Sequence, residues 1–445
     1  MAKTDILVVG GSAAGITAAI TARRQYPEKK IILVRKEEKA LIPCGIPYIF
    51  GTIGSPEKDV IPDTVLSKNN VDLIIDEVVS IDKTAKVITT ADGQTIGYEK
   101  MILATGSLPF VPPLSGVELD NVFTVKKDMD YLQKFAEVLN NAQDIVIIGG
   151  GFIGLEFADE CKKKGIANIS VVELLPHCLL LACDEEICIR VEKKLVERGV
   201  KVLTNKKAKA ILGDGKVESV ELGDGQKIKS DVVILGIGVV PNIKLAEESG
   251  LKIDKRQGIL VDELMHTSDE NIFAVGDCAS KKSWFTGIPS NLRLASIATT
   301  EARVAGANLF SIKRRNRGSL GIFSTVIGDL AIGAAGLTER QAIESGFEIV
   351  IGEAVAPDKH PGCMPGAKNL GVKLVFKKDT GLLIGGQVYG GISTGEITNF
   401  IGSMIQHRMR VDEIATFQIG THPMVTASPV SYQVTNAAEI ALKKM

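Results

Sequence analysis

Three groups of residues have the types and spacing to do chemistry. The first is a single thiol. Cys44 stands in "LIPCGIPYIFG", residues 41–51, between Pro43 and Gly45 with Pro47 beyond. No second cysteine is near it in sequence, no histidine is adjacent, and nothing there has metal-ligand spacing. The prolines and glycine predict a constrained turn, with "PYIFG" starting a helix. A thiol at a helix N-terminus is biased toward thiolate, the form that attacks sulfur. The alternative is a small buried hydrophobe, the commonest fate of a reduced cysteine.

The second group is a pair of glycine loops. Gly10, Ser12 and Gly15 hold the three positions of G-x-G-x-x-G, with Ala13 and Ala14 between them. The first position makes the tight turn, the second must be small for a pyrophosphate to approach, and the third lets helix and strand close. Phosphates then meet the N–H groups that open the helix. Gly149, Gly151 and Gly154, with Phe152 and Ile153, repeat the pattern. Glu173 ends the following strand, "ISVVE". A carboxylate there accepts from ribose hydroxyls and repels a 2′-phosphate, which predicts NADH over NADPH. In the first loop's unit, Arg35 stands where that acid belongs, followed by Lys36, Glu37 and Glu38.

The third group is scattered. His360 and Cys363 lie in "HPGCMPGAKNL", and His422 in "THP". Cys178 and Cys183 have C-x4-C spacing, with Cys188 close behind; they read as inert thiols on a helix.

The elements that must position these residues are legible too. "DILVVG", the helix "GSAAGITAAITARRQ" and "KIILVRK" form a βαβ unit, and the pattern recurs over residues 144–173. Between them, alternating apolar residues with turns at "DKTA" and "ADG" predict strands and hairpins. "ILATGS" and "LGIGVVPN" are strands ending in tight turns, and Asp277 in "IFAVGDC" follows a strand, placed to accept from a polyol hydroxyl. Beyond residue 318, strands, a capping box at Thr338 and Gln341, a hairpin at 379–381 and an amphipathic helix predict an α+β domain on an antiparallel sheet.

Bulk properties narrow the field. The chain has 445 residues, enough for two or three domains. A formal net charge of −1 gives no electrostatic footprint for nucleic acid or an anionic membrane. No apolar run approaches the ~20 residues that span a bilayer. Seven cysteines in a chain this long predict reduced thiols in a cytoplasm rather than a disulfide scaffold.

Taken in order, the five nucleotide motifs resemble the FAD- and NAD-linked pyridine nucleotide-disulfide oxidoreductases over essentially the whole chain. "CGIPY" resembles their single-cysteine branch, which includes coenzyme A disulfide reductases, NADH oxidases and peroxidases, and persulfide or polysulfide reductases. The dithiol branch has C-x4-C here, and this chain has Ile49 at the second place. The resemblance implies an α/β fold of glutathione reductase type: two Rossmann-like dinucleotide-binding domains and a C-terminal α+β dimerisation domain. It divides the chain into an FAD-binding domain (1–118 and 255–318), an NADH-binding domain (119–254) and a dimerisation domain (319–445).

It also implies roles. Gly10, Ser12, Ala13, Ala14, Gly15, Arg35, Lys36, Pro43, Val79, Ala104, Thr105, Gly106 and Asp277 would hold FAD. Gly149, Gly151, Phe152, Ile153, Gly154, Glu156, Glu173 and Gly238 would hold NADH, with Phe152 gating the flavin and Glu156 near the nicotinamide. Cys44 would carry substrate sulfur. His422 would serve the partner subunit of a homodimer as acid–base group, and His360 and Cys363 would line the substrate mouth. A histidine assists peroxide chemistry inside the first glycine loop of oxidase and peroxidase relatives; Ala13 takes that place here. The expected activity is NADH:persulfide, polysulfide or coenzyme A-linked disulfide reduction, with NADH oxidase as the alternative. A reductase of an electron-carrier protein or a redox sensor stands below both. Coenzyme A disulfide itself fits less well, because the tyrosines of those enzymes are missing around "PGA" and near the C-terminal end.

Overall fold

A computed structural model describes residues 2–445. Packing divides the chain into two units. The first comprises the chain up to Pro112 with Thr124–Asn141 and Ile237–Ser319, and the second comprises Pro113–Phe123, Ala142–Gly236 and Leu320–Met445. The helix Met129–Asn141, expected with the NADH segment, belongs to the first unit, where Phe135 packs on Phe50 with ring centroids 4.5 Å apart.

The first unit is built on a seven-stranded sheet. Its order is Asp72–Ile75, Ile31–Arg35, Ala2–Val9, Thr95–Leu103, Val87–Thr90, Val78–Asp82, and Ile272–Ala274 also pairs with Thr95–Leu103. The pairings among Asp72–Ile75, Ile31–Arg35, Ala2–Val9, Thr95–Leu103 and Ile272–Ala274 are parallel, and the hairpin strands add antiparallel. Ile6, Leu7, Ile31 and Leu33 are fully buried, as unbroken apolar runs require when both faces are covered. The helix Ala13–Gln25 is rich in small residues because it packs closely on Ala295–Asn308. A Cβ at Gly306 would stand 2.6 Å from the Ala18 carbonyl oxygen.

The second unit holds a parallel sheet, a small antiparallel sheet of Ala208–Leu212, Ser219–Leu222 and Lys227–Lys229, and a larger antiparallel sheet. Val232–Leu235, Asp144–Ile148, Asn168–Val172 and Val200–Leu203 run parallel in that order, with the helix Phe152–Lys163 as crossover. The C-terminal part is a five-stranded antiparallel sheet, ordered Ile322–Ile327, Leu330–Gly336, Leu383–Gly390, Asn369–Lys377, Ile349–Pro357. Helices Thr394–Gln406 and Gln433–Leu442 pack on it. The capping box at Thr338 forms as expected, with Gln341 N–H donating to the threonine hydroxyl at 3.2 Å.

Candidate functional site

The two glycine loops are built alike. Gly10 and Gly149 have φ of +108° and +111°, the left-handed region that only glycine enters cheaply. A Cβ at Gly15 would collide with the Gly10 carbonyl, and one at Gly154 with the Gly149 carbonyl. The helices that follow, Ala13–Gln25 and Phe152–Lys163, begin at Ser12 and Gly151 without a side-chain cap or an acid in the first turn. Both leave opening N–H groups for a phosphate. Nothing lies within 4 Å of a Cβ position at Gly151, so the second loop has open space where a pyrophosphate would sit.

In the first unit these residues converge. A Cβ at Gly10 would strike the Ala104 carbonyl, and one at Gly276 would stand 2.9 Å from the Ala14 methyl. The turn 104–106 is tied down by Thr105, whose hydroxyl donates to the Asn242 carbonyl at 2.8 Å, while Asn242 N–H donates to Gly106 at 3.0 Å. Ser107 donates its hydroxyl to Asp277 Oδ2 at 2.7 Å. Asp277 follows the strand Ile272–Ala274, in the short 3-10 helix Gly276–Cys278. Gly238, at φ +98°, accepts from Phe110 N–H at 3.0 Å.

Arg35 is placed differently from the expectation. Its guanidinium is buried and engaged by Asp63, at 2.6 and 3.0 Å, and by the carbonyls of Glu37 and Glu38. Only its stem meets the first loop, filling the space a side chain at Gly11 would need. Lys36 is exposed, and Val79 is exposed in Val78–Asp82 beside a bulge.

Cys44 is exposed, in the first turn of an eight-residue 3-10 helix, Pro43–Phe50. The helix starts at Pro43 rather than at Pro47, so Pro47 sits inside it. A 3-10 turn tolerates this because its bonds span three residues. None of the seven cysteines forms a disulfide. Cys161, Cys178, Cys183 and Cys188 are buried, and desolvation pushes Cys161 and Cys188 up to about 12 and the other two higher. Burial holds all four in the thiol form, in keeping with the reading of Cys178, Cys183 and Cys188 as inert. Only Cys188 lies on a helix, Glu185–Glu197; Cys178 and Cys183 belong to the preceding loop.

In the second unit, Glu173 closes over its loop. Oε2 accepts from Gly150 N–H at 2.6 Å and Oε1 from Leu175 N–H at 2.7 Å. Both oxygens are thus held by main-chain donors. Phe152 packs on Phe323 with centroids 4.6 Å apart, and Glu156 accepts from the Thr325 hydroxyl at 2.7 Å.

His360, expected at a substrate mouth, meets the loop that carries His422, expected as an acid–base group. His360 N–H donates to Pro423 at 3.1 Å, and its Nδ1 lies 3.0 Å from the Thr426 carbonyl oxygen. His422 is exposed on the same loop, where its Nδ1 accepts from Met424 N–H at 3.2 Å. Cys363 is exposed, three residues past His360.

Three buried charged side chains beside these segments had no sequence signal: Asp59, packed against Gly45, and the pair Lys281 and Glu301 around Gly276. Each meets its partner through packing between separate segments, which no local spacing encodes.

Comparison with known proteins gives the family. The pyridine nucleotide-disulphide oxidoreductase model matches residues 4–302, and the dimerisation-domain model of the same family matches 322–431. The chain belongs to the pyridine nucleotide-disulphide oxidoreductases. It is 34% identical to the NADH oxidase of Methanocaldococcus jannaschii over 450 residues, covering 99% of each chain. It is 33% identical to the CoA-dependent NAD(P)H sulfur oxidoreductase of Pyrococcus furiosus over 401 residues, 88% of this chain and 89% of that one. Among solved structures, the NAD-dependent persulfide reductase from A. fulgidus superposes with a TM-score of 0.91 at 28% identity, covering 99% of this chain and 83% of that one. Members of this family are NAD(P)H-dependent flavin oxidoreductases. The two glycine loops and the Asp277 turn fit the two dinucleotides this implies, and no helix among the described residues is long and apolar enough to cross a membrane.

Proposed function

We propose that the chain is a cytoplasmic NADH-dependent reductase of sulfane or disulfide sulfur, with Cys44 as the residue that takes the substrate sulfur. The observation that carries this reading is one exposed thiol in the first turn of Pro43–Phe50, while the C-x4-C pair elsewhere is buried and inert. The names of the Pyrococcus furiosus and A. fulgidus relatives support the substrate class.

The residues divide the work as follows. The Gly10–Gly15 loop, the turn 104–106 and Asp277 hold the flavin nucleotide, and FAD, when bound, carries two electrons from the nicotinamide to sulfur. Gly149–Gly154 and Glu173 hold NADH and disfavour a 2′-phosphate. The Cys44 thiolate attacks the outer sulfur of a persulfide, polysulfide or disulfide. The old S–S bond breaks, a thiolate leaves, and a new S–S bond forms on Cys44. Two electrons then cleave that bond, regenerating the Cys44 thiolate and releasing the captured sulfur as sulfide or as a second thiolate, which takes a proton from solvent. His422, contributed by the partner subunit of a homodimer, gives a proton to the leaving thiolate. His360 and Cys363 line the mouth through which the substrate enters. The C-terminal sheet makes the dimer, in keeping with its family match. A coenzyme A-linked thiol is a fitting carrier of the sulfur, supported by the name of the Pyrococcus furiosus relative.

A second reading, NADH oxidase, is favoured by the Methanocaldococcus jannaschii relative. Ala13 in the first loop weighs against it, since no acid–base side chain is offered there. Anaerobic NADH consumption over a panel of persulfide, polysulfide and disulfide substrates separates the two. Turnover should be lost in Cys44→Ser. Full activity in that variant sinks the sulfur mechanism, and fast turnover with oxygen alone makes the oxidase reading the correct one.

A further inference from the structure

The helix that opens at the second glycine loop is held along one face by a strand that the mechanism above does not use. Phe152, Glu156 and Asp159 follow one another on Phe152–Lys163 at steps of four and three residues, which puts them in one line along the helix. Each meets Ile322–Ile327 or the turn that ends it. The Phe152 ring packs on Phe323 with centroids 4.6 Å apart. The Thr325 hydroxyl donates to Glu156 Oε1 at 2.7 Å. Gly328 N–H donates to Asp159 Oδ1 at 3.1 Å. The strand lies within the segment, residues 322–431, that matches the family's dimerisation domain.

Matched spacings make this line of contacts possible. Residues two apart in a strand point the same way and stand about 6.6 Å apart. Residues four apart on a helix rise about 6 Å. Phe323 and Thr325 therefore fall opposite Phe152 and Glu156, in the same order along both elements. One contact would leave the helix able to turn about its axis; three in register do not. Thr325 suits the central place. It is 5% exposed, and its main chain is fixed by pairing with Leu330–Gly336, where it stands opposite Ile332. A β-branched side chain on a fixed backbone has few rotamers. The hydroxyl points one way, and it holds Glu156 Oε1 with it.

We propose that Thr325 is a positioning residue for the nicotinamide half of NADH, acting through Glu156. The inference deepens the NADH-dependent reading and rests on the placing of Glu156 near the nicotinamide. In that reading the ADP half is held by Gly149–Gly154 and Glu173. A hydroxyl that acts through Glu156 should affect the nicotinamide half and leave the ADP half alone. The dimerisation segment then has a second task, since one of its strands completes the NADH site of its own chain.

NAD+ and ADP-ribose separate the two halves, because ADP-ribose is NAD+ without the nicotinamide. Their dissociation constants are measured by titration calorimetry on the oxidised, FAD-loaded enzyme, so no turnover is read. Thr325→Val keeps the side-chain shape and removes the donor. It should raise the ratio of Kd for NAD+ to Kd for ADP-ribose by about threefold to tenfold. Thr325→Ser, which keeps the donor, should restore the wild-type ratio. An unchanged ratio in Thr325→Val, or equal weakening of both ligands, overturns the proposal. If Thr325→Val does not fold, Thr325→Ala is read against the same two outcomes. Glu156→Ala separates the two levels of the argument. A wild-type ratio there overturns the placing of Glu156 and the proposal with it. A raised ratio there, with Thr325→Val unchanged, overturns the proposal alone.

Discussion

The Lys281 ammonium lies 3.0 Å from each carboxylate oxygen of Glu301, and the two charges enclose Gly276. Glu301 accepts from Gly276 N–H at 2.8 Å, and Lys281 donates to the Gly276 carbonyl at 2.7 Å. Their side chains are 2% and 1% exposed. Both polar groups of the residue before Asp277 are thereby fixed, at a φ of +77° and against Ala14 of the first glycine loop.

Breaking one side of that pair leaves a buried charge. Lys281→Met should cost about 3–5 kcal/mol in urea unfolding. It should also weaken FAD binding to the apoprotein, because the Asp277 turn is no longer held. Tyr26→Phe is the control. It removes a 2.6 Å bond to Ala307 on the same helix packing without touching the turn. It should lower stability with FAD affinity unchanged.

Asp59 gives a pH-dependent stability. Its carboxyl is pushed from 3.8 up to about 6 in the folded chain. The native state therefore holds more protons than the unfolded state between those values, and stability falls as pH rises through the window. Above it the penalty reaches up to about 3 kcal/mol, at about 1.4 kcal/mol per unit. Asp59→Asn should gain stability over the wild type at pH 8 compared with pH 4, measured by urea titration at both. An equal difference at the two pH values would contradict the buried-acid assignment.

The proposed role of Glu173 in choosing the nicotinamide nucleotide can be tested directly. Glu173→Gln removes the charge that disfavours a 2′-phosphate and weakens the bonds that hold Gly150 and Leu175. The ratio of kcat/KM for NADH over NADPH should fall by about tenfold. Flavin content should not change. An unaltered ratio would remove Glu173 from the specificity argument.

The proposal that His422 acts across the dimer can be tested by mixing. Cys44→Ser and His422→Ala subunits should each be weak alone. Unfolded and refolded together in equal amounts, they should recover about a quarter of wild-type turnover, since half the dimers carry one intact pair. No recovery would place His422 outside the partner's site.

The sequence was most informative where backbone geometry demands one residue type. The two glycine loops were legible because only glycine takes φ above +100° and admits the Gly10–Gly15 and Gly149–Gly154 contacts. Alternating and continuous apolar runs gave the parallel and antiparallel sheets for the same local reason. The Cys44 helix was legible only in part. Pro47 pointed to a helix start, yet the 3-10 helix begins four residues earlier, since proline fits a tight 3-10 turn better than an α-helical interior. Arg35 was misleading, because its partner Asp63 lies far along the chain and draws the guanidinium away from the loop. Asp59 and the Lys281–Glu301 pair were silent. Their roles come from burial, and burial of a lone charged residue leaves no periodic trace.

The strand Ile272–Ala274 pairs with the end of Thr95–Leu103, and 169 positions separate Leu103 from Ile272. On the ribosome, that edge of an apolar sheet emerges long before the segment that covers it. At the usual pace of synthesis the wait is roughly 10–30 s. The nascent chain must keep Met101, Ile102 and Leu103 from pairing with other chains throughout that interval. The need for chaperone protection during translation is thus written into the connectivity of the first unit. A truncation that stops short of residue 272 should aggregate rather than yield a folded flavin-binding fragment.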